Sequence, residues 1–189
     1  MQHGSDDEDA ALISAVANGR ESALAQLIAR HGRGLAAIAT RYLSNPAEAE
    51  DVVQEVFVRV WSHAARFDPT RARATTWLYA IAVRLCIDRL RKLRLRRFFG
   101  LGAGIDSLDD ISDTAPATDS ALASRQELAL TRTAIAALPD RQRMAILLSA
   151  VAGLETSRIA ETLDISVGAV EQLLVRARRT LRSSTGRDT

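Results

Sequence analysis

Residues 98–119, with the sequence FFGLGAGIDSLDDISDTAPATD, interrupt a helical pattern that is present on both sides of them. This segment is rich in glycine, aspartate, serine and threonine, and its apolar residues follow no sustained period. Such a composition is typical of a flexible linker. The sequence therefore predicts two folded parts, residues 1–97 and 120–189, that are joined by an acidic linker over residues 98–119.

Both parts are expected to be helical. Alanine, leucine and arginine dominate the chain, and aromatic residues make up only 4% of it, which favours helices over strands. Apolar residues recur at helical spacing over residues 21–43, 46–64, 74–97 and 120–138. Gly32 and Gly34 disfavour an unbroken helix in the first of these segments. We expect an all-α fold of two helical domains.

The stretch SNPAEAED contains the signals of a helix start. Asn45 can cap the helix, Pro46 suits its first position, and Glu48 can reach back to the amide of the capping residue. The helix that follows is expected to bury an apolar stripe, formed by Val52, Val53, Val56, Phe57, Val60 and Trp61. Its opposite, polar face carries Asp51, Gln54, Glu55 and Arg59.

Basic residues are concentrated in two places, although the formal net charge is only +2. Residues 84–97 contain six arginines and one lysine against one aspartate, and residues 176–182 contain four arginines and no acid. Two basic patches on either side of an acidic segment indicate two contacts with one polyanion, such as nucleic acid. The alternative is a pair of solvated helix faces.

Several classes of protein are disfavoured by the composition. A single cysteine, Cys86, precludes an intramolecular disulfide and fits a reducing cytoplasm. The three histidines lie far apart in the sequence, so we expect no metal site. No apolar run is long enough to cross a bilayer, and the acidic N-terminus lacks the pattern of an export signal. Without a phosphate-binding glycine loop or a nucleophile with its base, we expect neither an enzyme nor a cofactor.

Residues 153–181, GLETSRIAETLDISVGAVEQLLVRARRTL, have the layout of a helix-turn-helix. A short helix over residues 156–163 is followed by a tight connection at Asp164 and Ile165, and Ser166 can cap the second helix. Small residues at the start of that helix would let it enter a major groove, with arginines nearer to the phosphates. The expected DNA-contacting residues are Ser166, Val167, Gly168, Ala169, Glu171, Gln172, Arg176, Arg178 and Arg179.

Glu171 has two interpretations, because an acid near a DNA-facing helix start is unusual. Its carboxylate can accept a hydrogen bond from a cytosine amino group in the major groove. It can instead interact favourably with the positive end of the helix dipole. Both interpretations stay open on the sequence, and the dipole is the preferred one.

The two halves together resemble the extracytoplasmic-function (group 4) sigma factors. AEAEDVVQEVFVRVW is similar to the family's core-polymerase-binding helix, and RFDPTRARATTWLYAIAVRLCIDRLRK to its melting loop and −10-reading helix. Residues 137–181 are similar to its −35-reading domain. The resemblance implies sigma region 2 over residues 1–97 and sigma region 4 over residues 120–189. In place of the Lys-Ser-Arg common in relatives, this chain has Glu171, Gln172 and Leu173, which leaves the promoter sequence open.

The resemblance also implies roles for particular residues. Asp51, Gln54 and Glu55 would contact the β′ coiled coil of core RNA polymerase, and the C-terminal domain would meet the β flap. The residues implied in −10 binding are Arg71, Arg73, Thr75, Thr76, Trp77, Tyr79, Arg84, Asp88, Arg89 and Arg91. Trp77 is more simply a core residue, and the loop of residues 66–75 is better suited to hold an unstacked base. The arginines can clamp phosphates or read bases.

By the same resemblance, the chain would be a cytoplasmic initiation factor that binds polymerase and promoter DNA. An anti-sigma factor would restrain it until a stress signal arrives. Its acidic linker would thread the RNA-exit path or simply be solvated. The competing hypothesis is a one-component regulator with an N-terminal sensor domain, which would dimerise on palindromic sites. Cys86 could be a redox sensor, but the apolar helical sequence around it favours a buried position in the core.

Overall fold

The computed structural model describes residues 2–100 and 119–184, with side chains described over residues 6–100 and 128–184. Within these ranges every regular element is helical, so the all-α prediction is confirmed. The helices are α1 (Gln2–Ala17), α2 (Glu21–Leu43), α3 (Pro46–His63), α4 (Ala74–Phe98), α5 (Asp119–Ala137), α6 (Asp140–Ala150), α7 (Thr156–Leu163) and α8 (Val167–Ser184), with a 3-10 turn over Ala64–Arg66. Of the predicted linker, residues 101–118 lie outside the described part. None of the helices described is apolar over a length that would cross a bilayer.

The start of α3 follows local sequence signals. Asn45 is in an extended conformation and its side chain accepts a hydrogen bond of 3.2 Å from the amide of Glu48, while Pro46 opens the helix. The expected return bond from Glu48 is replaced by another contact, because its carboxylate accepts a hydrogen bond from Arg89 of α4. The Glu48 carboxylate therefore forms a long-range ion pair instead of the local hydrogen bond of a capping box.

Helix α2 runs unbroken through Gly32 and Gly34, contrary to the expected interruption. The tertiary structure gives a reason for one of these glycines. A Cβ atom at Gly34 would lie 3.0 Å from the hydroxyl oxygen of Tyr79, so the missing side chain lets α4 pack closely against α2. Burial raises the pKa of Tyr79, which is 5% exposed.

Helices α2, α3 and α4 form the main packing unit of the N-terminal region, which we define as residues 2–100. The expected stripe of α3 is buried at Val52, Val56, Phe57 and Val60, and Val53 is half-buried. Trp61 departs from the expectation, since 40% of it is exposed. The stripe is thus narrower than the sequence pattern predicted.

Helix α1 was not predicted from the acidic N-terminal sequence. It buries Ile13 and Val16 together with Asp6 and Asp9, at the spacing of one helix face. The Asp9 carboxylate lies 2.8 Å from Nε2 of His31 and 3.0 Å from Nε of Arg30. These partners on α2 make the burial of an acid possible. The 6-9-13-16 spacing was the signal available in the sequence.

The N-terminal region packs directly against the C-terminal region, which we define as residues 119–184. Helix α7 contacts α4, and α6 contacts α2. Buried side chains of both regions belong to one continuous apolar cluster, which includes Leu35, Tyr42, Met144 and Leu148. The described regions are therefore docked on each other in this structure, an arrangement that the predicted linker did not suggest.

Candidate nucleic-acid interface

The helix-turn-helix forms at the residues expected from the sequence. Helix α7 ends at Leu163, and Asp164 turns the chain with a left-handed φ of 54°. The hydroxyl of Ser166 then accepts a hydrogen bond of 3.2 Å from the amide of Ala169, which caps α8. Val170, Leu174 and Ala177 are buried against the rest of the C-terminal region. The packing of these three residues fixes which face of α8 points outward.

That outward face contains the predicted DNA-contacting residues. All nine are exposed except Ala169, which is half-buried: Ser166, Val167, Gly168, Ala169, Glu171, Gln172, Arg176, Arg178 and Arg179. A side chain at Gly168 would meet no other atom within 4 Å of its Cβ, so the surface at the first turn of α8 is open. Val175 is a further exposed residue on this helix, at 59%. The arrangement presents small groups at the start of α8 and cations farther along it.

The position of Glu171 on α8 changes its interpretation. The helix begins at Val167, and its first turn contains no acidic residue, because Glu171 is the fifth residue. The helix dipole acts mainly within the first turn, so it gives this carboxylate little stabilisation. The preferred interpretation from the sequence therefore has weak physical support. Glu171 is exposed, so the other interpretation, contact with a base, stays open.

The loop between α3 and α4 is shaped by its own residues. Asp68 accepts hydrogen bonds from the amide and the hydroxyl of Thr70, at 2.9 and 2.6 Å, which form a turn within the loop of residues 66–75. The hydrogen bonds from Thr70 lower the pKa of Asp68. The turn at the start of the loop is therefore closed by residues of the loop itself.

A cleft of about 600 Å³ opens beside this loop, between α3 and α4. Its lining includes Arg66, Trp77, Ile81 and Arg84 from the loop and α4, and Glu55, Val58, Arg59, Ser62 and His63 from α3. The Trp77 ring packs against Phe67 with centroids 5.3 Å apart, so Trp77 is half-buried with one side toward the cleft. The residue thus belongs both to the edge of the core and to the site.

The other residues implied in −10 binding are divided between several environments. Arg71, Arg84, Asp88 and Arg91 are exposed. Arg89 faces α3 instead, where its Nη1 lies 3.3 Å from Asp51 and also contacts Glu48. Tyr79 and Thr76 are buried, at 5% and 4% exposure. In this arrangement neither is accessible to DNA.

Arg73 and Thr75, at the start of α4, are engaged by the acid of α1. The Thr75 hydroxyl donates a hydrogen bond to Asp6, and Nη1 of Arg73 lies 3.5 Å from the same carboxylate. Arg158 of α7 completes the group, with its Nη1 2.6 Å from Asp6. Arg158 was not among the candidate residues, and no local pattern singles it out.

The polar face of α3 is present and is extended by apolar side chains. Asp51 and Gln54 are exposed and Glu55 is half-exposed, where it forms an ion pair of 2.9 Å with Arg59. Val58 and Trp61 continue the same side of the helix, at 57% and 40% exposure. The sequence reasoning missed Val58 and assigned Trp61 to the core. Val58 follows Gln54 and Glu55 at helical spacing, which was the available signal.

Cys86 lies in the core, as the sequence favoured. It is 1% exposed, and burial raises the pKa of its thiol to about 12. A thiol that stays protonated and covered is a poor nucleophile. The alternative of a redox sensor has no structural support.

Two family models match this chain. Residues 27–96 match Sigma-70 region 2, and residues 128–181 match Sigma-70, region 4. The RNA polymerase sigma factor CnrH of Cupriavidus metallidurans is 32% identical, with 93% of each chain covered. The ECF RNA polymerase sigma factors SigL of Mycobacterium tuberculosis and SigW of Bacillus subtilis are each 31% identical. The alignments cover 91% and 90% of this chain, and 94% and 92% of the relatives.

Solved structures show the same architecture. CnrH in complex with the cytosolic domain of CnrY has a TM-score of 0.72 at 28% identity, covering 96% of this chain and 99% of that one. RpoE from Bartonella quintana, solved with the anti-sigma factor NepR, has a TM-score of 0.69 over 87% of this chain and 97% of that one. At 22% identity, the second likeness concerns the fold alone.

Proposed function

This chain belongs to the extracytoplasmic-function family of RNA polymerase sigma factors, and we propose that its α3, α4 and α8 divide the work of initiation between them. In this proposal α3 binds core polymerase, the loop before α4 and the exposed face of α4 engage the −10 element, and α8 reads the −35 element. The competing regulator hypothesis required a sensor domain where residues 27–96 match Sigma-70 region 2.

The observation that carries the proposal is the outward face of α8. Its first turn presents Val167 and Gly168 without bulky side chains, and the cations Arg176, Arg178 and Arg179 follow along the helix. A helix of this kind can place its start at base edges while its arginines meet phosphates. Glu171, exposed one turn beyond the cap, is positioned to accept from a cytosine amino group.

The −10 element would be engaged at the cleft beside the loop. Promoter opening leaves bases unstacked, and an unstacked base is stabilised by an aromatic face and nearby cations. Trp77 supplies the aromatic side of the cleft, and Arg66 and Arg84 supply the charge. Arg71 and Arg91 are exposed and would contact the phosphate backbone. Arg89 is assigned a different role, since it joins α4 to α3.

Core polymerase would bind the side of α3 that carries Asp51, Gln54 and Glu55. Two exposed apolar residues, Val58 and Trp61, lie on the same side. Interfaces gain most of their binding energy from a few buried aromatic or arginine side chains, and charged side chains contribute mainly to specificity and association rate. We therefore assign Trp61 as the anchor and the acids as the groups that select a basic partner, the β′ coiled coil.

We also place this protein under the control of an anti-sigma factor and assign it to the cytoplasm, where polymerase works. The support is the likeness to CnrH, which was solved with the cytosolic domain of CnrY. An inhibitor that covers Val58 and Trp61 would compete directly with polymerase. The β flap is the proposed polymerase contact of the C-terminal region. As an initiation factor, the chain needs no catalytic residues of its own.

The experiment combines core binding with promoter-dependent transcription. Reversing the charge at two positions, Asp51→Arg with Glu55→Arg, should weaken core binding about tenfold or more, because like charges would then face each other. The matched control is Asp7→Arg with Glu21→Arg, which reverses two charges at exposed positions on α1 and α2 instead of α3. Run-off synthesis from a promoter library should fall with the double variant and not with the control. If the double variant supported as much transcription as wild type, the assignment of α3 to core polymerase binding would be refuted.

A further inference from the structure

Asp6 lies at the point where α1, α4 and α7 meet, and it is 7% exposed. Its carboxylate accepts hydrogen bonds from the hydroxyl and the amide of Thr75. The guanidinium of Arg158 is 2.6 Å away, and that of Arg73 is 3.5 Å away. Two cations, a hydroxyl and an amide thus surround one buried anion. The same set of donors would suit a phosphate oxygen.

We propose that Asp6 occupies the place of a promoter phosphate and thereby holds the free protein in a closed, self-masked state. The proposal rests on the function proposed above, because Arg73 and Thr75 belong to the segment assigned to the −10 element. Arg158 belongs to the first helix of the helix-turn-helix, the helix that crosses the DNA backbone in such motifs. Asp6 therefore joins the two DNA-binding regions through groups that each would present to DNA.

Further contacts between the regions support a closed state. The Thr76 hydroxyl donates a hydrogen bond of 3.4 Å to Glu161 of α7, and Thr76 is only 4% exposed. At the other end of α4, Arg94 forms two hydrogen bonds with Asp140, at 2.6 and 2.8 Å. The closed state therefore covers Thr76 while it leaves the outward face of α8 exposed. In this state the −35 surface is accessible and part of the −10 surface is not.

The charge at Asp6 matters because of its burial. Removing one partner of a buried ion pair leaves the other as an uncompensated charge, which destabilises the arrangement that buries it. Arg158 is itself 7% exposed, so Asp6→Asn should favour the separation that returns Arg158 to solvent. The free protein would then expose Thr75 and Arg158 in addition to Arg73, which is exposed already in the closed state. DNA would gain donors that Asp6 had held.

The first measurement is the distance between the two regions in the full chain without polymerase. Fluorescent labels are placed at Ala47→Cys on α3 and Ala150→Cys on α6, both exposed positions, while the buried Cys86 stays in place. Wild type should give one population with high energy transfer. Asp6→Asn should produce a second, low-transfer population by raising the ratio of open to closed molecules on the order of tenfold. Asp7→Asn is the matched control, since it removes the same charge from an exposed neighbour.

The second measurement is binding to a mixed-sequence single-stranded DNA 20-mer at low salt, since phosphate contacts need no particular sequence. Asp6→Asn should bind about tenfold more tightly than Asp7→Asn, although both variants have the same net charge. Arg158→Gln removes the other partner of the pair. It should open the protein as Asp6→Asn does, but it should gain less affinity because a phosphate donor is lost.

The proposal would be overturned if a folded Asp6→Asn or Arg158→Gln protein gave the same energy transfer as wild type. It would also be overturned if Asp6→Asn opened the protein without binding the DNA more tightly. If Asp6→Asn does not fold by circular dichroism, Arg158→Gln decides. Run-off transcription by the wild-type protein with core polymerase separates the proposed function from the proposed closed state. If it is absent, the proposed function fails. If it is present while energy transfer is unchanged in the variants, the closed state alone fails.

Discussion

Arg143 of α6 donates a hydrogen bond of 2.8 Å to the backbone carbonyl of Tyr42, near the end of α2. The same guanidinium donates to the carbonyls of Ala136 and Leu138, and its central carbon is 5.5 Å from the centre of the Tyr42 ring. Burial lowers the pKa of Arg143, and the nearby carboxylate of Asp140 partly offsets this. One buried cation thus satisfies carbonyls at two helix ends and links the two regions.

Replacing Arg143 should therefore destabilise the folded chain. Arg143→Met keeps much of the volume but leaves buried carbonyls without a donor, so the free energy of unfolding should fall by about 2–4 kcal/mol. Urea denaturation followed by circular dichroism measures this change. Arg141→Met, at an exposed position on the same helix, should change it by less than about 0.5 kcal/mol. A similar loss in both variants would show that the carbonyl contacts contribute little.

Acid should weaken the contact made by Asp6. Burial by itself raises the pKa of Asp6, but the hydrogen bonds from Thr75 and the Arg158 guanidinium outweigh it and hold the pKa below its ordinary value of 3.8. A group with a lowered pKa in the folded state contributes stability above its unfolded pKa and loses it as the pH falls through the folded pKa.

The expected result is a difference between wild type and Asp6→Asn that is largest near neutral pH and disappears below the lowered pKa. Thermal unfolding at pH 7, 5, 4 and 3 measures it. Other carboxylates also titrate in this range, so the informative quantity is the difference between the two proteins at each pH. A difference that persists unchanged at pH 3 would contradict the assignment.

Cys86 should be inert in the folded protein. Burial raises the pKa of its thiol to about 12, so almost no thiolate is present at pH 8. Ellman's reagent should react with less than about a tenth of the protein in an hour under native conditions, and with one thiol per chain in 6 M guanidinium chloride. An added exposed thiol, at Ser62→Cys, is the positive control. Rapid native reaction at Cys86 would reopen the possibility of a redox role.

Glu171 should affect promoter preference and leave stability almost unchanged. Glu171→Gln should relax discrimination at one base pair of the −35 element by about 1–3 kcal/mol, since the acceptor loses its charge and one of its two oxygens becomes an NH2 donor. Selection of promoters from a randomised −35 library with core polymerase measures this preference. Glu21→Gln, at the start of α2, is the charge-matched control. Unaltered preference together with a lower melting temperature would favour the helix dipole after all.

Local signals in the sequence were sufficient for most helix boundaries and for the helix-turn-helix. Asn45, Pro46 and Ser166 act on residues no more than four positions away, so their roles can be derived from short stretches. The outward face of α8 was predictable for the same reason, because its buried side follows the helical period. Glu48 shows the limit of such reasoning, since Arg89, 41 residues away, takes the group that local capping would use.

The amino-acid sequence by itself determined most of the helices after α1, the capped start of α8 and the basic faces of α4 and α8, because each depends on residues within a few helical turns. Only the tertiary structure decided that acidic α1 folds inward, that Asp6 joins Thr75 to Arg158, and that Arg143 reaches Tyr42. These contacts join residues that lie 69 to 152 positions apart in the chain. An acid is buried only where the fold brings cations and donors to it, and no local pattern specifies that meeting.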